Sequence, residues 1–151
     1  MKKQNVLALY VHLVWATWSR EALITPAIEE RLYRCMQSEV RAVGCTVLAL
    51  NGMPEHVHLV ARLTATVSVA GLVKQVKGAS SHFVNHELQA EPHFRWQDGY
   101  GAFTVCRNDL DAVIAYVKGQ KQHHGAGSLW QAWEATFEEV EQQRPSGTAP
   151  D

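Results

Sequence analysis

The dipeptide Asn51-Gly52 lies between two apolar runs, Cys45 to Leu50 and Glu55 to Leu63. Asn-Gly is a strong local signal for a turn between antiparallel strands, because both residues tolerate positive φ. Met53-Pro54 lengthens the loop. Strands joined this closely are antiparallel neighbours, and the rest of the chain has to be arranged around that pair.

Before the pair, Asn5 to Thr17 reads as a long strand rich in Val, Leu, Tyr and Trp. Lys2 and Lys3 ahead of Val6 to Ala16 give this segment the outline of a signal peptide. Tyr10, His12 and Trp15 interrupt the run, and no small-x-small site closes it, so a buried strand is the expectation. Thr25-Pro26 has the form of a helix start, with Glu29 and Glu30 in the first turn. Ile28, Leu32, Met36 and Val40 recur every four residues and mark its buried face. Gly44 ends it. After the pair, Ser68 opens a second helix that runs to about Leu88. A loop over Gln89 to Gly101, a short strand over Gly101 to Arg107 and a helix capped by Asn108 or Asp109 follow. Gly125-Ala126-Gly127-Ser128 reads as a hinge before a last helix, Leu129 to Glu141.

The order β-α-β-β-α-β-α-α predicts an α+β fold: a ferredoxin-like antiparallel sheet with helices on one face, plus C-terminal helices. A chain of 151 residues suits one domain, expected over residues 1–141, with 142–151 a disordered tail. No run is long enough to cross a membrane. The three cysteines, Cys35, Cys45 and Cys106, have no close spacing, which argues against disulfides or a zinc cluster and fits a cytoplasmic protein. The formal charge of -1 weighs against a nucleic-acid binder. A near-neutral sum is nevertheless compatible with one basic face.

Two segments could carry chemistry. In Glu55-His56-Val57-His58-Leu59, alternate side chains share one strand face, so His56 and His58 project together. Two imidazoles so placed can grip a metal ion; the spacing equally suits two polar residues on a solvated face. Tyr116 and Gln120, four apart, share a helical face. A phenol can serve as a covalent nucleophile, and an amide carbonyl is a hard donor suited to Mg²⁺ or Mn²⁺. Taken alone, the pair also suits a half-buried Tyr beside a surface Gln. His123 and His124 fit a helix end, where positive charge complements the dipole.

Both segments, in this order, resemble the small single-strand transposases of bacterial insertion sequences, the one-tyrosine branch of the HUH nucleases. The resemblance rests on His56-Val57-His58, on Tyr116 with Gln120, and on three further stretches: Tyr10 to Thr17, Lys77 to Ser81, and Trp96 to Phe103. It runs from about Leu7 to Phe137. It implies that His56, His58 and Gln120 hold a divalent metal, Mg²⁺ or Mn²⁺, and that Tyr116 attacks a scissile phosphate to leave a 5′-phosphotyrosine. It also implies a homodimer acting on single-stranded or hairpin DNA. Such DNA calls for cations interleaved with aromatics. Lys74 and Lys77 on the second helix, and Arg95 between Phe94 and Trp96, are the candidate contacts. Three alternatives stay open: a domesticated relative cutting chromosomal repeat hairpins, a non-catalytic DNA-binding protein of the same fold, and a metal-dependent hydrolase without a covalent step.

Overall fold

The computed structural model describes residues 5–122. The expected hinge, last helix and tail, with His123 and His124, lie outside them. Four strands form one antiparallel sheet: β1 (Tyr10–Ala16), β2 (Thr46–Met53), β3 (His56–Arg62) and β4 (Gly101–Val105). Their order is β2-β3-β1-β4. Helices α1 (Glu29–Ala42) and α2 (Val69–His82) occupy the two crossovers of the ferredoxin-like pattern, and α3 (Leu110–Lys118) follows β4.

The periodicities settle on opposite sheet faces. Ile28, Leu32, Met36 and Val40 are all buried, and α1 meets α2 over Leu13, Trp15, Val57 and Leu59 from β1 and β3. Gly44 stops α1 at φ +84°. Gly44 N donates to Arg41 O and Cys45 N to Val40 O, the paired bonds of a Schellman ending. Ser68 caps α2 by accepting from Gly71 N at 3.0 Å. The helical run continues beyond α2 through a wide turn over Phe83–Glu87, close to the end expected from sequence.

α3 lies on the other face, where Val113, Tyr116 and Val117 pack on Ala49, Val60 and Val105. The period of two along β3 sends Val57, Leu59 and Ala61 to the large core. His56 and His58 alternate with them and therefore lie on the face that α3 covers.

Asn51-Gly52 is not the turn. Both residues belong to β2, paired with His58 and Val57, and the chain reverses at Pro54-Glu55. Tertiary contacts use the dipeptide instead. Asn51 Nδ2 donates to Lys118 O at 2.9 Å, the last residue of α3. Gly52 leaves no room for a side chain, because an added Cβ would stand 2.2 Å from His56 O.

Candidate active site

β3 brings His56 and His58 together as the alternation predicts, but not on a solvated face: they are 1% and 0% exposed. Their ring centroids are 5.1 Å apart. Metal–nitrogen bonds of ~2.1 Å place the centroids of two imidazoles sharing an ion ~5 Å apart, so the spacing fits a shared cation. α3 places Tyr116 edge-on to His58, with centroids 6.1 Å apart. Gln120 follows just past the turn at Gly119 and is fully buried. No group of three or more His, Cys, Asp or Glu among the described residues could hold a metal. Among the described residues the buried donor beside this pair that is of another type is the Gln120 carbonyl, a hard oxygen of the kind suited to Mg²⁺ or Mn²⁺.

Two neighbours of the histidines escaped sequence reasoning as contacts. Glu55 Oε1 lies 3.0 Å from His56 Nδ1. That hydrogen bond holds the Glu55 carboxyl below the usual carboxylate range, against an opposing effect of partial burial. His12 Nε2 lies 2.7 Å from His58 Nδ1, with the two rings stacked. His12 pairs with Val60 across β1 and β3, two residues from His58, so this contact is a diagonal across the sheet. Alternation along β1 assigns His12 a face, but the contact with His58 follows only from the register.

Polar ties fix α3 over this face. Besides the Asn51 bond to Lys118 O, Lys121 Nζ donates to Asn51 Oδ1 at 2.9 Å and pairs with Glu29 at 3.0 Å. The tyrosine helix is thus seated against the histidines of its own chain.

The three candidate DNA contacts have different surroundings. Lys74 is exposed on α2 and lines a cleft with Glu39, Gln75 and Glu87. Lys77 is turned inward. Its Nζ donates to Gln97 O at 2.6 Å and Gly99 O at 3.0 Å, and burial lowers its pKa. With Ser80, which accepts from Trp96 Nε1 at 2.9 Å, and Asn85, which clasps both backbone groups of Phe94, it clamps the loop onto α2. That loop carries Arg95 outward, its guanidinium 3.6 Å from the centroid of the Trp18 ring. Trp18 is 36% exposed. It sits on a tight turn in which Ser19 and Arg20 both have φ of 51°, a costly conformation for residues with side chains.

Residues 5–120 match the family described as "Transposase IS200 like". The ISDra2 transposase TnpA of Deinococcus radiodurans is 28% identical over 127 residues, covering 80% of this chain and 91% of that protein. A crystal structure of a candidate transposase from Deinococcus radiodurans R1 superposes with a TM-score of 0.60 at 25% identity, covering 80% of this chain and 97% of its own. The REP-associated tyrosine transposase bound to a REP hairpin superposes with a TM-score of 0.62, covering 100% of this chain and 91% of its own. At 14% identity that likeness speaks for the fold.

Proposed function

Because the chain belongs to the IS200-like transposase family, we propose that it nicks and rejoins single-stranded or hairpin DNA through a covalent bond to Tyr116. The observation that carries the reading is the position of the Tyr116 ring against His58, beside a second buried imidazole, His56. In the proposed reaction, the Tyr116 oxygen attacks the scissile phosphorus and the P–O3′ bond breaks. The departing 3′ oxygen takes up, by way of solvent, the proton that the phenol gave up. The phosphodiester becomes a 5′-phosphotyrosine, so no bond energy is lost and no ATP is required. A 3′-hydroxyl from another strand then attacks the same phosphorus and releases the tyrosine.

His56, His58 and Gln120 are the proposed holders of Mg²⁺ or Mn²⁺. When bound there, the ion supplies Lewis-acid polarisation of the phosphate and favours the phenolate, whose free pKa of ~10 is otherwise unfavourable at neutral pH. α3 orients the nucleophile, and its ties to Asn51 hold Tyr116 in line with the histidine face. Lys74 and Arg95 are the proposed DNA contacts. Lys77 contributes by holding the Arg95 loop in place. Trp18 joins them: base–aromatic stacking is worth ~1–3 kcal/mol per base. A homodimer is part of this proposal.

The test is incubation with Mn²⁺ and labelled single strands carrying hairpins from the flanking DNA, read on denaturing gels. A protein-bound label that vanishes with Tyr116→Phe and with EDTA is expected. Cleavage without an adduct would replace the covalent scheme with direct hydrolysis. Binding without cleavage on every flanking hairpin would leave a DNA-binding protein of this fold.

A further inference from the structure

An imidazole can offer a metal one nitrogen only when its proton sits on the other, and the partner of that other nitrogen decides which. His56 and His58 each have a hydrogen-bonding partner at Nδ1: Oε1 of Glu55 at 3.0 Å and Nε2 of His12 at 2.7 Å. A carboxylate can only accept, so the proton of His56 belongs on Nδ1 and its Nε2 carries the lone pair. The bond between the two histidines has one donor and could run either way. If His58 Nδ1 accepted, its own Nε2 would hold the proton and could not coordinate. If His58 Nδ1 donates, its Nε2 becomes a ligand, matching His56. The second arrangement requires His12 to keep its own proton on Nδ1 and accept at Nε2, and the fold holds its ring in place for that bond. His12 is 1% exposed, stacked on His58 at 5.0 Å and near Phe103 at 6.1 Å, and fixed in the β1 ladder opposite Val60.

We propose that Glu55 and His12 are positioning residues that hold His56 and His58 with the proton on Nδ1, so that both Nε2 atoms face one cation. The inference rests on the metal site proposed above. An imidazole left to itself favours the proton on Nε2, the wrong nitrogen for that task. Losing either partner therefore costs metal affinity without touching a ligand.

The first measurement uses metal-free protein: long-range ¹H–¹⁵N correlation spectra of the histidine rings at mildly alkaline pH. Nδ1–H patterns for His56 and His58 are expected, and an Nε2–H pattern at His58 would overturn the proposal whatever any variant does. The second is Mn²⁺ affinity, from the paramagnetic signal of unbound ion, with folding checked by circular dichroism. His12→Leu is expected to weaken binding roughly 10–100-fold. His12→Gln, whose amide oxygen can accept from His58, is expected to recover most of it. Glu55→Gln should retain affinity that Glu55→Ala loses. Unchanged affinity in folded His12→Leu, in a protein whose wild type binds Mn²⁺, would refute the positioning role alone. Failure of the wild type to bind Mn²⁺ would refute the metal site itself and, with it, the purpose of the tautomers.

Discussion

Two glycine-to-alanine substitutions should have opposite signs in this protein. At Gly52 the new Cβ would stand 2.2 Å from His56 O, 2.8 Å from Val57 Cα and 3.1 Å from His56 C. All three obstacles are backbone, so no side chain can rotate aside, and β2 has to part from β3 beside the first histidine. Overpacking of this kind costs ~1–3 kcal/mol, and a backbone clash belongs near the upper end. The reduced freedom of the unfolded chain returns ~0.4–1 kcal/mol, leaving a net loss of about 2 kcal/mol. At Gly78, on the exposed side of α2, the Cβ meets nothing within 4 Å. Alanine there should gain ~0.5–1 kcal/mol from helix propensity. With a urea slope of ~1.5 kcal/mol/M, the midpoint should fall by ~1–1.5 M for Gly52→Ala and rise by ~0.5 M for Gly78→Ala. Because the Gly52 clash falls on the carbonyl of His56, Mn²⁺ affinity should fall with the first and stay unchanged with the second. A Gly52→Ala protein that unfolds with the wild type and binds Mn²⁺ equally well would show that the strands do not approach as described.

Trp18→Ala should weaken binding to an unpaired oligonucleotide by ~1–3 kcal/mol in a fluorescence-anisotropy titration while leaving the unfolding midpoint nearly unchanged. Equal affinity would remove Trp18 from the proposed DNA surface. Lys121→Met removes a half-exposed cation from Asn51 and Glu29, so it should cost no more than ~1 kcal/mol globally. It should nevertheless speed amide exchange along α3 more than along α1, and uniform exchange would contradict the tie. Lys77→Met should open the 97–99 loop to limited proteolysis, since two carbonyls lose their donor; unchanged cutting there would show that the clamp does not hold the loop.

The sequence disclosed most where local physics and tertiary structure agree. The four-residue spacing from Ile28 to Val40 marked the buried face of α1, and Ser68 and Gly44 ended their helices as capping chemistry requires. The alternation at His56 and His58 identified their shared face. It could not show that α3 covers it, because burial depends on an element distant in sequence. Asn51-Gly52 misled for the same reason: its turn chemistry is real, but one side chain is engaged by α3 and the other position is kept bare for a neighbouring strand. The His12 contact is a diagonal between strands 46 residues apart, visible only once register is known. Lys77 read as a surface cation because charge alone does not reveal that its ammonium folds back onto loop carbonyls.

The described residues support the two faces of the sheet unequally. Among the described residues, nineteen buried apolar side chains secure the face under α1 and α2, and six secure the face under α3. Cooperative units of a protein open in order of their local stability. Within residues 5–122 the more lightly held unit is the one that carries Tyr116, whereas His56 and His58 belong to strands anchored in the larger core. Gradual denaturation should therefore pass through a species in which the proposed nucleophile, Tyr116, has come away while the imidazoles stay paired. Under the proposed function such a species would hold DNA without cutting it, so cleavage is expected to be the first activity to fail and the last to return on refolding.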